Sequence, residues 1–558
     1  MTAPKSKTML PSTRFLSLIC LLLSATACNH LNHTDTVDGS AIFNADSFKQ
    51  HVAVLASDSF MGRKPFTAGE TITIHYLETQ LKAMGLEPGN GNSYFQDVPM
   101  VNIQATAAPT MQVNSPKGNF TLNGFDDYAI WTDKVEEHIN LDKTELVFAG
   151  YGVVAPEYNW NDYAGLDVKG KVVMVMVNDP GFWSGDTTLF KGKEMTYYGR
   201  WTYKFEEAAR QGAKGCLIIH NTAAASYPFK VQQSGHNSSR LQLDNRGKDM
   251  KNCDVIGWIP EPTANKLFIA AGFDSTLLIK ANKPGFKAVP LNIQLSTSMN
   301  IKTTYDKSHN VIAKITGSKH PDEVIIYSAH WDHFGIGRPD AKGDSIYNGA
   351  YDNASGTSGL LEMARAFKAI KPERTVVILL VTSEEQGLLG SKYYAENPVY
   401  PVVKTVANIN IDELNRFTKT KDMVVVGSGQ SELEDYLKEE VEKTGGYVSK
   451  DPHPEAGHYY RSDHFNFAKA GIPALYINPG IDVAGKGKEY GKQLEDDYTK
   501  NNYHQPSDEY DPKTWTAEGA VNDMKILFRV GKRLAFSDTW PKWKPGSEFK
   551  AIREGKNK

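Results

Sequence analysis

The sequence predicts an α/β protein with a mostly parallel-stranded sheet flanked by helices and with an inserted, β-rich domain. Four short apolar runs are continuous rather than alternating, as in strands that are covered on both faces; they are residues 322–330, 374–383, 405–412 and 472–478. Segments with apolar residues at helical spacing, such as 355–370, separate these runs. This alternation is typical of a parallel sheet with helices on its faces.

A different pattern between residues 140 and 295 indicates the inserted domain. Strand-like segments there are interrupted by glycines and tyrosines, and residues 205–221 combine a helix, a glycine turn and a strand. The chain has 558 residues, which is too long for one hydrophobic core, so separate domains are expected. The predicted segments are a signal sequence at 1–28, a linker at 29–43, the first part of the main domain at 44–135, the inserted domain at 136–297, the rest of the main domain at 298–540, and a C-terminal tail at 541–558.

The charge balance argues against a nucleic-acid partner. Charged residues make up 23% of the chain and the formal net charge is -3, so the composition provides no basic surface for phosphates. The chain also has no internal repeat, which excludes a solenoid or propeller.

The N-terminus has the pattern of an export signal. Lys5, Lys7 and Arg14 precede an apolar stretch at 15–23 that is too short to span a bilayer. The small residues that follow lead directly to Cys28, and "ATAC" resembles the lipobox of bacterial lipoproteins, in which the cysteine receives lipid. The resemblance implies a periplasmic or cell-surface protein of a bacterium that is attached to a membrane, the outer membrane in particular, through its N-terminal lipid only. An ordinary cleaved signal is the alternative.

Two cysteines would remain free of lipid in the exported protein. Cys216 and Cys253 would then be in an oxidising compartment, where a disulfide is possible. Cys216 lies in an apolar run, so an inert buried thiol is the other possibility.

Metal-binding side chains follow three of the predicted strands. In an open α/β sheet, ligands bind outside the carboxyl ends of the strands. The residues at those ends are His330, Asp332 and His333, then Glu384 and Glu385, then Asp412 and Glu413; Asp352 precedes a helix and His504 lies in a loop marked by a proline. A single residue of this kind is usually a helix cap, but nitrogen and carboxylate ligands at five places together predict a metal site.

At this point the sequence resembles a known family. The motifs "SAHWDH", "DNASGTSG", "TSEEQGLLGS", "NID", "RSDHFNF" and "YHQPSD" occur in this order, and the set resembles the dizinc metallopeptidase family 28. That family has the zinc exopeptidase (phosphorylase/hydrolase-like) fold and includes leucyl aminopeptidases and glutamate carboxypeptidases. The phrases "GKVVMVMVND" and "AARQGAKGCLIIHN" resemble the protease-associated domain that several secreted peptidases carry as an insertion.

The resemblance implies two Zn²⁺ ions and their ligands. Asp352 would bridge the two ions, Glu385 and His504 would complete one, and His330 with Asp412 would complete the other. The residue types agree with this assignment, because each ion would receive an imidazole and carboxylate oxygens.

The resemblance also assigns the proton transfer. Glu384 would be the general base that takes a proton from the water bridging the two zinc ions and delivers it to the leaving amine. Asp332 would orient the imidazole of His330. No family role is assigned to His333, which we expect to be structural.

The segment "GHYYRSDHFNF" is expected to contribute to the substrate pocket. In relatives this region supplies a tyrosine that donates to the oxyanion, so Tyr459 and Tyr460 are candidates, with core packing as the alternative for each. Arg461 is a candidate for contact with substrate, and residues 462–464 resemble the family's "SDH" turn. A Ser-His-Asp triad is unlikely for residues so close in one turn, because triads are assembled from separate segments.

We therefore expect a zinc exopeptidase, and an aminopeptidase that removes N-terminal residues from peptides in particular. The alternative is a carboxypeptidase or dipeptidase of the glutamate carboxypeptidase type, which would need arginines for the free carboxylate; Arg461 and Arg416 are possible. A receptor-like relative that has lost its metal ligands and a single-zinc cyclase fit less well, because all ligand positions and the inserted domain are present. After Asp412 the chain reads "ELNR" where many relatives have an apolar residue and a glycine, which affects the pocket wall only.

Overall fold

The computed structural model describes residues 1–3, 38–233, 235–248 and 251–555. Cys28 and nearly all of the predicted signal sequence lie outside these residues, so the lipidation site stays a prediction. Among the described helices, none combines the length and the apolar character that crossing a bilayer requires.

The strands are numbered in chain order. They are β1 (Glu87–Pro88), β2 (Phe95–Ala107), β3 (Thr110–Asn114), β4 (Phe120–Asn123), β5 (Ala129–Trp131), β6 (His138–Phe148), β7 (Val154–Ala155), β8 (Trp160–Asn161), β9 (Val172–Met176), β10 (Gly215–His220), β11 (Ser239–Leu243), β12 (Val255–Pro260), β13 (Val289–Ile315), β14 (His320–His330), β15 (Gly335–Ile336), β16 (Ile346–Tyr347), β17 (Arg374–Val381), β18 (Thr405–Asn410), β19 (Asp422–Val425), β20 (Tyr447–Lys450) and β21 (Ala474–Asn478).

The α-helices are numbered in the same way. They are α1 (Ala45–Leu55), α2 (Ala68–Ala83), α3 (Gly181–Ser184), α4 (Trp201–Arg210), α5 (Thr222–Ala225), α6 (Lys230–Gln233), α7 (Glu261–Ala271), α8 (Thr276–Ala281), α9 (Gly356–Ile370), α10 (Leu389–Glu396), α11 (Leu433–Glu442), α12 (His464–Lys469), α13 (Lys488–Asn501), α14 (Glu518–Ala535) and α15 (Lys550–Arg553).

The main domain is built on a mixed sheet with a parallel centre. The strand order is β1, β13, β17, β14, β18, β21, β19, β20, and the central strands β17, β14, β18 and β21 run parallel. His330 lies opposite Val381, and Ser328 lies opposite Asn410. The three strands therefore end at the same edge, which brings together the polar residues that follow them. The predicted fold class is confirmed.

Both faces of this sheet are covered, as the continuous apolar runs predicted. Every residue of β17 is buried. Ile378 and Leu380 pack into the larger core with helices α9 and α14, whereas Val377 and Leu379 pack into a second core on the opposite face. Successive side chains of a strand point to opposite faces, so an unbroken apolar run fits a strand covered by helices on both sides.

The inserted domain has its own core, and one strand is shared with the main domain. This core takes its members from Val101 to Ile301, so β2 to β5 contribute to it although they precede the predicted start at residue 136. The N-terminal part of strand β13 pairs with β6 and β3, and its middle part pairs with β2. Its C-terminal part pairs with β17 of the main domain. The predicted boundary between residues 297 and 298 falls inside this strand.

Cys216 and Cys253 are both buried and both free. They belong to the same hydrophobic cluster of the inserted domain. Burial raises the pKa of Cys253 to about 12 and that of Cys216 well above its ordinary value. Protonated buried thiols of this kind are poor nucleophiles.

Residues 39–43 and 541–549 pack against the main domain. Part of the predicted linker forms a short 3₁₀ helix, Gly39–Ile42, and Phe43 is buried in the larger core. In the predicted tail, Trp543 and Phe549 are buried, and the indole of Trp543 donates to the carbonyl of Gly471. These aromatic side chains explain why the segments fold onto the domain.

Candidate metal centre

The first group of possible metal ligands lies where β14 and β18 end. His330 is the last residue of β14, and its Nε2 lies 3.1 Å from Oδ1 of Asp412 and 3.3 Å from Oδ1 of Asp352. Asp412 follows β18 by two residues, and Asp352 lies in a short π-helical turn, Ala350–Ser355, that leads into helix α9. Three separate segments thus bring three ligand atoms to one point.

The second group shares Asp352 with the first. Nε2 of His504 lies 3.2 Å from Oδ2 of Asp352 and 3.4 Å from Oε2 of Glu385. The two oxygens of Asp352 therefore face different histidines. His333 also reaches this group, because its Nδ1 lies 2.6 Å from Oε1 of Glu385.

These distances fit ligands of shared metal ions. Zinc binds nitrogen and oxygen ligands at about 2.0–2.1 Å in tetrahedral geometry, which places two ligands of one ion about 3.3 Å apart. The four distances from His330 and His504 to their carboxylates lie between 3.1 and 3.4 Å. Nδ1 of His330 donates to the carbonyl of Asp332 at 3.2 Å, so the proton is on Nδ1 and Nε2 is left as the ligand atom. The residues present thus fit zinc.

The charge of the site also requires cations. Burial raises the pKa of Glu384 well above its ordinary value, and the nearby carboxylates of Asp412 and Glu385 raise it further. The pKa of Glu385 is raised well above its ordinary value by burial and by Asp352. Like charges at these distances are stable only with a proton or a metal ion among them.

The backbone at three site positions has an unusual conformation. Ser383, Glu413 and His504 have φ values of 53°, 68° and 57°, in the left-handed region that residues other than glycine rarely adopt. Ser383 precedes the Glu384–Glu385 pair, and Glu413 follows Asp412. Strain of this kind is concentrated at functional sites, where surrounding contacts hold the backbone in place.

Glu384 is held next to the first ligand group. Its Oε2 lies 3.9 Å from Nε2 of His330, and its backbone N–H donates to Oδ1 of Asp332 at 3.0 Å. The carboxylate of Asp332 lies 3.8 Å from Nδ1 of His330, beyond hydrogen-bond distance. Asp332 therefore fixes the turn that carries Glu384, while its own backbone carbonyl orients the imidazole of His330.

Two further residues join the ligand-bearing segments. Asp508, four residues after His504, accepts from the backbone N–H groups of Tyr351 and Asp352. The side chain of Asn353 donates to the carbonyl of Ile411. These bonds connect the segment of Asp352 to the loop of His504 and to the strand that leads to Asp412.

Arg63 lies beneath the site as a buried counter-charge. The residue is 1% exposed, and its guanidinium donates to the backbone carbonyls of Trp331, Leu55, Asn348 and Gly349 at 2.5–2.9 Å. Burial lowers its pKa to about 10, and the nearest carboxylates, Asp332 first, oppose this. The guanidinium thus binds the backbone directly after His330 and the backbone shortly before Asp352.

The tyrosines proposed from the sequence lie in an aromatic cluster. Tyr459 and Tyr460 pack with Phe465 and Phe549, and the hydroxyl of Tyr460 donates to Glu548. The hydroxyl of Tyr459 is buried without a partner among the described residues. These contacts correspond to the packing alternative for both residues.

A different tyrosine adjoins the candidate ligands. Tyr503 stacks on the imidazole of His504 with ring centroids 3.7 Å apart, and it is 42% exposed. The sequence analysis missed Tyr503, although its position directly before His504 was a usable signal.

The arginine candidates differ in their surroundings. Arg416 packs against the rings of Tyr351, Phe417 and Tyr498, which holds its guanidinium in place. Arg461 lies next to Arg200, which directly precedes helix α4 of the inserted domain. Arg200 was missed because the sequence does not show which part of the inserted domain faces the site.

Part of the chain is similar to a known family of proteins. Residues 310–528 match the model of Peptidase family M28. The matched segment, which is less than half of the chain, is similar to this family. It contains every candidate metal ligand and Glu384.

Curated proteins that are similar to this chain carry zinc and peptidase names. A "Probable zinc metalloprotease" of Pyrenophora teres f. teres is 38% identical over 102 residues, which are 18% of this chain and 22% of that protein. "Aminopeptidase YwaD" of Bacillus subtilis is 28% identical over 272 residues, or 47% of this chain and 44% of the relative. The matches thus span from about a fifth to under a half of these relatives' length.

The fold of this chain is similar to that of a solved structure. The structure titled "Aminopeptidase from Aneurinibacillus sp. strain AM-1" covers 91% of this chain and 96% of its own, with a TM-score of 0.51 and 20% identity. This similarity extends through the inserted domain and supports the α/β fold.

We expect Arg63→Met to destabilise the metal-free protein by at least about 4 kcal/mol, because each of the four buried carbonyl groups left without a donor costs about 1–3 kcal/mol. Urea unfolding followed by tryptophan fluorescence would measure the change. Arg338→Met, at an exposed position near the site, is the matched control and should leave the midpoint unchanged. Equal midpoints for the two variants would show that Arg63 does not support the site.

Proposed function

We propose that this chain is a zinc-dependent exopeptidase that holds two zinc ions and removes N-terminal residues from peptides. The division of the two Asp352 oxygens between His330 and His504 carries the proposal. One carboxylate that faces two separate histidine and carboxylate groups is the arrangement that two adjacent ions need. The zinc and aminopeptidase names of the curated relatives support the same assignment.

Zinc ions bound there would polarise the scissile carbonyl and make water acidic enough to attack it near neutral pH. The chain's own residues then have separate tasks. Glu384, with its carboxylate next to His330 and its pKa raised by burial, accepts the proton of the attacking water and returns it to the leaving amine. Glu385 is engaged by His333 and His504, so it is held as a ligand.

Two other groups would assist the reaction. Asp332 keeps Glu384 in position by accepting its backbone N–H. Tyr503 adjoins the ligand cluster, whereas Tyr459 and Tyr460 are packed in the aromatic cluster, so Tyr503 is the better candidate to donate to the developing oxyanion.

We expect Glu384→Gln to lower kcat by a factor of about 10²–10⁴ with metal content unchanged, because the amide keeps the shape of the side chain but cannot accept the proton. Hydrolysis of an aminoacyl p-nitroanilide and elemental analysis of the same sample would give both values. Glu396→Gln, at an exposed position on α10, is the control. Wild-type turnover by Glu384→Gln would exclude it as the base.

The proposed pair of ions makes a second prediction. Wild-type protein should contain about two zinc equivalents, Asp352→Asn should lose both, and His504→Ala should lose one, because His504 contacts only the second group. Elemental analysis after dialysis against a weak chelator would measure the content. Asp322→Asn, exposed at the start of β14, should retain both ions. Retention of one ion by Asp352→Asn would argue that this carboxylate does not bridge.

One observation favours a second candidate function, a carboxypeptidase or dipeptidase. Arg461 is a neighbour of Arg200, which lies near Glu384, and neither arginine forms an ion pair with a described residue. The Nε atom of each is buried without a hydrogen-bond partner in the described part of the chain. Burial and the neighbouring positive charge of Arg461 together lower the pKa of Arg200 to about 9. Two adjacent guanidinium groups are costly without an anion, and the free carboxylate of a short peptide would supply one.

The two functions predict different results with blocked dipeptides. An aminopeptidase should cleave a C-amidated dipeptide and reject its N-acetylated form, and a carboxypeptidase should do the reverse. If the arginines bind the carboxylate, Arg200→Met should raise KM for the free dipeptide and not for the amidated one. Liberated amino acids can be measured by chromatography, with Arg246→Met, an exposed arginine of the inserted domain, as the control. Equal effects on both peptides would exclude a carboxylate contact.

We further propose that the inserted domain is of the protease-associated type and that the protein is anchored to a bacterial membrane by lipid on Cys28. The cluster of small residues before Cys28 supports the anchor. Cys28→Ala should move the protein from the membrane fraction to the soluble periplasmic fraction, as measured by immunoblotting after fractionation. Cys216→Ala would be the control. A membrane-bound Cys28→Ala protein would exclude the lipid anchor.

A further inference from the structure

A chain of four hydrogen bonds leads from the interior of the sheet to Asp412. Nδ2 of Asn408 donates to Oγ of Ser328 at 2.9 Å, and that hydroxyl donates to Oδ1 of Asn410 at 2.7 Å. Nδ2 of Asn410 donates to Oγ of Ser462 at 2.8 Å. The hydroxyl of Ser462 then donates to Oδ2 of Asp412 at 2.6 Å.

The direction of this chain is determined by its last member. A carboxylate can only accept, so the hydroxyl of Ser462 must give its proton to Asp412 and must itself receive one from Asn410. This requires the amide nitrogen of Asn410 to face Ser462 and its oxygen to face Ser328. All four donors are therefore aligned toward the carboxylate.

The chain lies in a part of the sheet where polar side chains are otherwise costly. Ser328 and Asn408 are 0% exposed, and Asn410 and Ser462 are 1% exposed. Buried hydroxyl and amide groups cost free energy unless they are hydrogen-bonded, and successive bonds in a dry environment polarise one another. Apolar side chains at these strand positions would avoid that cost. The presence of polar ones therefore indicates a function for the carboxylate at which the hydrogen-bond chain ends.

The two oxygens of Asp412 have different surroundings. Oδ2 receives the hydroxyl of Ser462, whereas Oδ1 lies 3.1 Å from Nε2 of His330 in the first ligand group. The hydrogen bond to Oδ2 fixes the rotation of the carboxylate and leaves Oδ1 directed at the metal position. Asp352 differs from it, because both of its oxygens face histidines.

We propose that Ser462 is a positioning residue that holds Asp412 at the end of a polarised hydrogen-bond chain and sets the affinity of one of the two metal positions. The inference rests on the proposed metal site, and it applies to the position made by His330 and Asp412. The position made by His504 and Glu385 receives no bond from this chain. Loss of the Ser462 hydroxyl thus affects the two positions unequally.

The test is zinc affinity, measured on purified full-length protein by competition with a chromogenic chelator. Ser462→Ala should weaken one of the two ions by about 10–100-fold, the usual effect of removing a partner that orients a metal ligand. The His504→Ala variant, which retains only the ion at His330 and Asp412, identifies which ion is affected. In that background the Ser462→Ala change should lower the affinity of the remaining ion by the same factor.

Ser391→Ala is the matched control. Ser391 is also buried, and its hydroxyl donates to Asp463 at 2.5 Å. Asp463 follows Ser462 in the sequence, but this hydrogen bond does not reach Asp412. Removing this hydroxyl should leave both zinc affinities unchanged. Asn410→Leu, which removes the donor to Ser462 but not the bond to Asp412, should weaken the same ion by a smaller factor.

Three results would overturn the proposal. They are wild-type zinc affinity in Ser462→Ala, equal loss in Ser462→Ala and Ser391→Ala, and equal weakening of both ions together with a lower unfolding midpoint of the metal-free protein. A protein that binds zinc as expected but cleaves no peptide would contradict the proposed function and leave this inference standing. The affinity measurement therefore separates the two.

Discussion

The accumulation of negative charge at one edge of a buried sheet is the constraint on which this structure depends. The carboxylates of Asp412 and Glu385 raise the pKa of Glu384, and that of Asp352 raises the pKa of Glu385; little water reaches these groups. Positive charge must offset this repulsion, and Arg63 is a buried fixed cation beneath the cluster. The remaining positive charge has to come from protons or metal ions. The unusual φ values and the backbone bonds around the site hold the carboxylates close together until those charges arrive.

Much of this arrangement could be predicted from the sequence because it follows from strand periodicity. Continuous apolar runs predicted a sheet covered on both faces, and parallel strands place the residues that follow them at one edge. His330 and Asp412 do lie in one group of possible ligands, and Asp352 connects that group to Glu385. Their order along the chain contained the necessary information.

The parts that the sequence did not reveal depend on contacts between distant segments. Arg63 lies in a short 3₁₀ segment with no motif, and only the fold shows that it reaches four carbonyl groups. Arg200 belongs to the inserted domain, so its approach to Arg461 depends on how that domain is oriented. Tyr459 and Tyr460 were attractive because of their motif, but burial in an aromatic cluster is decided by packing.

Strand β13 has a consequence for how the two domains can be separated. Over thirteen residues it is paired with β2, and its ends belong to different cores. Cutting the gene at either predicted boundary would leave a long strand with unpaired backbone groups, which is a template for aggregation. The inserted domain is thus a structural continuation of the sheet, and neither half is expected to be soluble when produced alone.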